Sequence, residues 1–78
     1  MNHLNPFEDE YALKLIRYVQ KQLVKNFGIS EEEADYYIQD SSFIEMLQED
    51  PDFVFHYNSQ YWANNIAGEH NLMLAYAF

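Results

Sequence analysis

Apolar and polar residues return with a helical period along most of this chain. Ala12, Leu15, Ile16, Val19, Leu23 and Phe27 recur every three or four positions, which lines them up on one side of an α-helix. Lys14, Arg17, Lys21 and Lys25 fall on the other side, within an arc of about 80°. Start signals precede the pattern. Asn5 can cap a helix, Pro6 suits a first helical position, and Glu8 stands where a capping box wants an acid. Glu8, Asp9 and Glu10 complement the positive end of the helix dipole and Lys25 the negative end. Gly28 is a natural terminator. The pattern predicts a first helix over residues 6–26.

Ser30-Glu31-Glu32-Glu33 reads as a capping box, with Ser30 as the cap and Glu33 as its reciprocal partner. Ala34, Tyr37 and Ile38 then share a face. Phe43, Met46 and Leu47 would point the opposite way in an unbroken helix, so a break near Asp40-Ser41-Ser42 is required. Ser42 with Glu45 supplies another capping-box pattern. The expected elements are a helix over 31–39 and another over 43–49. Asp50-Pro51 closes the latter, because a residue before proline disfavours helix, and opens a fourth. In that fourth helix Phe53, Val54, Tyr57 and Tyr61 share one face, and Phe55, Trp62 and Ile66 share the next. Together they span an arc of about 220°, too wide for a helix with one buried side. Either the helix is central, or part of its surface meets another molecule. Asn58-Ser59 can split it, with Ser59 capping the new start, and Gly68 is expected to end it.

The chain ends in GEHNLMLAYAF. Leu72, Leu74, Tyr76 and Phe78 occupy every second position, a period that suggests an extended segment with one buried face. No other strand is expected, and a lone strand leaves its backbone unpaired. The segment therefore lies across the bundle, forms a short helix of its own, or docks on another chain. Cover or helix ranks first, because termini tied down in this way complete a small core. Deleting residues 71–78 separates the cases: lost folding means core, and a folded monomer means interface.

The pattern describes a single all-α domain over residues 1–78, a compact bundle of four to five short helices. Six Phe, seven Tyr and one Trp against two Gly and two Pro agree with it, since large side chains can fill a core between short helices. A chain of 78 residues buries only about 60% of its unfolded surface. Stability is then modest unless something is added, usually a disulfide, a metal or a partner. Cysteine is absent, so disulfides and thiolate metal sites are excluded, and a cytoplasmic location is expected. No signal peptide and no membrane-spanning run is expected either.

Charge divides the chain. All four basic residues precede Gly28, and the first 28 residues carry a net +1; the remaining 50 carry ten acids with no Lys or Arg. The second part should repel nucleic acid and anionic membrane. The basic stripe of the first helix, read without an aromatic–basic interleave or a flexible basic arm, is taken as a solvated face. Its sharper alternative is a dock for an acidic surface, such as the acidic half of a second copy. Direct nucleic-acid binding and membrane binding are not expected.

Candidate chemistry is sparse. Two isolated glycines cannot build a phosphate cradle. Ser30, Ser41 and Ser42 serve helix ends or breaks, Ser59 can do the same, and His3, His56 and His70 are dispersed. Asp52 and His56 stand four apart on a helix, yet a metal site normally takes three or four ligands. Glu31, Glu32, Glu33 and Asp35 lack the glycine turn of a calcium loop. No catalytic residue, cofactor or metal is assigned. The residues that remain are aromatic and apolar: Tyr57, Tyr61, Trp62, Leu72, Leu74, Tyr76 and Phe78 form the candidate interface, because Tyr and Trp are favoured anchors. The expected function is a small acidic, non-enzymatic protein–protein interaction or regulatory module that takes a protein partner or self-associates, a homodimer being one such form. An acidic mimic of nucleic acid that inhibits a DNA- or RNA-binding protein is the alternative, and requires acids clustered on one face. A metal protein or enzyme ranks third, and requires Asp52, His56, Glu69 and His70 to converge in one cleft.

Overall fold

Helix α1 spans Glu10–Phe27, and Asp9 caps its start. Asp9 is extended, and its carboxylate accepts from the Ala12 amide at 2.9 Å. A short Asp side chain reaches that amide as a longer Glu does not. The helix thus starts later than the expected residue 6, and Glu8 lies outside it. At the other end Gly28 takes φ 66°, and its amide donates to the Val24 carbonyl. That left-handed conformation is open to glycine at little cost. A computed structural model describes residues 8–72. The Asn5, Pro6, Leu74, Tyr76 and Phe78 expectations fall outside those residues.

Four further helices follow: α2 over Glu31–Gln39, α3 over Ser42–Glu49, α4 over Pro51–Phe55 and α5 over Ser59–Glu69. Among the described residues there is no strand, and the all-α bundle is as expected. The capping box at Ser30 and Glu33 forms in full, with both reciprocal bonds at 3.0 Å. The fourth expected helix is split where Asn58 and Ser59 allow it, which removes the puzzle of its wide apolar arc. Two separate helices can each bury their own face.

Three local expectations are corrected. Ser42 and Glu45 do not form a capping box. The N-cap of α3 is Ser41, which makes no side-chain cap bond to α3; its buried hydroxyl donates backward to the Ile38 carbonyl at 2.5 Å. It therefore serves the end of α2. Asn58, not Ser59, caps α5, its side-chain oxygen accepting from the Tyr61 amide at 2.9 Å. Gly68 does not stop α5. The helix continues to Glu69, and Asn71 turns the chain with φ 57°. The Leu72 amide then donates to the Ala67 carbonyl at 2.9 Å and the Asn71 amide to Gly68 at 3.4 Å. This is a Schellman turn with asparagine in the glycine position.

The core collects Ala12, Val19 and Leu23 from α1, Ala34 and Ile38 from α2, Phe43, Ile44 and Leu47 from α3, Val54 from α4, and Trp62, Ala63, Ile66 and Ala67 from α5. Leu15, Ile16, Phe27 and Leu72 pack against it in part. Ala63 and Ala67, four apart, leave α5 a smooth face, and α5 makes its most extensive contact with α1. α1 also packs on α2, where Gln20 donates to the Asp35 carboxylate at 2.9 Å. α3 and α4 pack on one another, and α3 also meets α2 and α5. No helix of the described residues is long and apolar enough to cross a membrane.

Candidate functional site

Among the described residues, the turn between α4 and α5 gathers the largest group of aromatic rings. Trp62 is its floor. It is only 1% exposed, and its indole N–H donates to the Val54 carbonyl at 3.0 Å. That carbonyl, at the end of α4, also accepts from the Tyr57 amide at 3.2 Å, and the indole as a further donor fastens α4 onto α5. Phe43 backs the indole from the core at 5.2 Å between centroids. Toward the surface Tyr61, Tyr57 and Phe53 stand around it at 4.8, 6.1 and 6.3 Å. Tyr57 and Tyr61 stack at 4.3 Å with 20° between their planes. Phe53 meets Tyr57 edge-on at 5.3 Å. These are geometries that the ring quadrupoles favour. Tyr61 and Phe53 nonetheless remain about 40% exposed, as does Phe55. The corner thus presents apolar rings that are already held in place, and little side-chain freedom is left to lose on contact.

A second surface runs along α1. Tyr11 and Tyr18 stand exposed at 77% and 50%, with Leu13 beside them, among the exposed cations Lys14, Arg17 and Lys21. Residues 11, 14, 18 and 21 recur at three and four, so they share a face. A groove of about 560 Å³ lies over it. The stripe is therefore an interleave of aromatic and basic side chains after all. Counting cations alone missed it; the spacing of Tyr11 and Tyr18, seven apart, was the available signal.

The third group is polar. Ser42 donates its hydroxyl to Glu69 Oε2 at 2.5 Å, and its amide to Oε1 at 3.3 Å. Glu69, 27 residues away, thereby caps α3 from the end of α5. His70 Nε2 lies 3.1 Å from the Asp40 carbonyl. A carbonyl only accepts, so this contact assigns the proton to Nε2. The imidazole also lies against Tyr37 at 4.7 Å. The Ser42 hydroxyl faces a carboxylate, while the imidazole faces a backbone oxygen. The pairing of hydroxyl with imidazole that activates a serine is not made here. Both contacts hold the α2–α3 break to the end of α5. The surrounding groove, about 650 Å³, is lined by Glu69 and His70 but by neither Asp52 nor His56. Among the described residues no three potential ligands group for a metal ion.

The predicted interface residues are thus divided. Tyr57 and Tyr61 form the rim of the aromatic corner. Trp62 is a correction: it is buried and hydrogen-bonded inside the chain, so it orders the corner instead of presenting a surface. Leu72 packs against the core. Leu74, Tyr76 and Phe78 lie outside the described residues. Phe53, Phe55, Tyr11 and Tyr18 are exposed aromatics that the sequence reading left out of the interface. Comparison with models of protein families, with curated proteins and with solved structures finds no match to this chain.

Proposed function

We propose that this chain is a small acidic, non-enzymatic protein–protein interaction or regulatory module of the cytoplasm, and that the α4–α5 corner is its contact surface. The observation that carries the reading is the ordered, half-exposed cluster of Phe53, Tyr57 and Tyr61 over the buried Trp62. Aromatic rings presented on a rigid base are the usual anchors of a protein contact. Exposed Glu49 and Asp52 stand nearby in sequence on α3 and α4, so the contact is both apolar and acidic. The lack of cysteine supports a reducing compartment. Exposed carboxylates are spread over α2, α3, α4 and α5, which favours this reading over imitation of a phosphate row.

Tyr61→Ala tests it. The side chain is exposed enough to remove without opening the core, and circular dichroism checks that the fold persists. Wild type, used as bait in an extract or studied alone by sedimentation, should hold a protein partner or itself. Tyr61→Ala should lose at least about tenfold in affinity, the size of an anchor worth over 1 kcal/mol. Equal retention by both proteins, or no association of either, overturns the reading.

A further inference from the structure

We infer that the partner of the α4–α5 corner is the α1 face of a second copy of this chain, joined head to tail. The inference rests on reading that corner as a contact surface and goes on to name its occupant. The two surfaces are complementary in charge. Helix α1 carries Glu10 against Lys14, Arg17, Lys21 and Lys25, a net +3, whereas residues 49–55 leading into the corner carry Glu49, Asp50 and Asp52 and no cation, a net -3. They also match in kind. Each sets exposed aromatic rings among exposed charges: Tyr11 and Tyr18 with Lys14 and Arg17 on one, Phe53 and Phe55 with Asp52 on the other. Cations of one copy can then lie on the ring faces of the next while meeting its carboxylates.

The fold keeps the two surfaces apart. α1 packs on α5 and α2, while α4 packs on α3, so neither surface covers the other within one chain. A symmetric contact of α1 with α1 would oppose like charges, which costs free energy. Contact between unlike surfaces is heterologous and leaves a free surface at each end, so it propagates unless it closes into a ring. Exposed ion pairs contribute little each, so association should be weak and sensitive to salt.

Sedimentation velocity on the full chain tests this with two variants. K14E/R17E/K21E removes the cationic surface and leaves the corner; E49K/D52K reverses the corner and leaves α1. All five residues are exposed, and circular dichroism verifies each fold; should either variant unfold, K14Q/K21Q and E49Q/D52N replace them. Wild type should sediment faster as concentration rises to about 0.5 mM in low salt, and return to monomer near 0.5 M salt. Each variant alone should stay monomeric. An equimolar mixture should associate again, because the two retained surfaces pair and the two reversed surfaces are themselves opposite in charge. A wild type monomeric at every concentration, a variant that still self-associates, or a mixture that stays monomeric overturns the inference. So does a monomeric chain whose α1 face binds a single-stranded oligonucleotide. If the chain is monomeric yet Tyr61-dependent capture of a different protein persists, the corner remains a contact surface and only its occupant is wrong.

Discussion

Gly68 and Asn71 show how little a residue's type alone decides. Glycine is the commonest helix terminator, yet Gly68 sits inside α5 and asparagine makes the left-handed turn. An added Cβ at Gly68 meets nothing within 4 Å. Gly68→Ala should therefore stabilise the fold by about 0.5–1 kcal/mol, through the lower entropy of the unfolded chain and the better helix propensity. A rise in the urea midpoint at unchanged slope checks it. Asn71→Ala should do the reverse, by about 1–2 kcal/mol, because a Cβ without a compensating side-chain contact is strained at positive φ. Asn71→Gly should be close to neutral in the same assay.

At the scale of elements, helix ends are served by residues remote in sequence. Ser41 looks like the cap of α3 but bonds back to α2, and Glu69 supplies the missing acceptor from α5. Glu69→Ala should cost about 1 kcal/mol, a normal loss for a removed cap, while Glu69→Gln should recover part of it by keeping one acceptor. Chemical denaturation of the two variants measures both. Asn58 is the local counterpart. Asn58→Ala should cost about 1 kcal/mol as the α5 cap is lost, and Ser59→Ala much less, since Ser59 is the first residue within the helix.

For the whole molecule, Trp62 is the joint at which core and surface meet. It contacts Phe43 within and Phe53 and Tyr61 toward solvent, and it holds α4 through the Val54 carbonyl. Unfolding should then expose the indole in the same step that melts the helices. Trp62 emission and far-ultraviolet circular dichroism should give coincident transitions, as expected of a single cooperative domain. Trp62→Ala should cost about 3–5 kcal/mol, a large share of what so small a domain has to spare. Separate transitions for the two probes would show that the corner melts independently of the bundle.

The amino-acid sequence by itself determined the helical class, the ends of α2 and the break before α3, and it left open whether the helix from Pro51 splits at Asn58-Ser59. Each of these rests on interactions between residues a few positions apart: the apolar period, the Ser30–Glu33 box, the proline at Pro51. The imbalance of charge between the two parts of the chain was equally plain. Tertiary structure decided the rest. Trp62 became floor and Tyr61 rim because the turn at residues 56–58 re-aims α5 against α4, and no local pattern states that angle. Tyr11 and Tyr18 stay outside because α5 and α2 claim the other side of α1. Glu69 became a cap only because the end of α5 is brought to the α2–α3 break. Which face is buried follows from the period of the sequence, but which neighbour buries it, and which rings are left to meet another molecule, follows from packing between segments far apart in the chain.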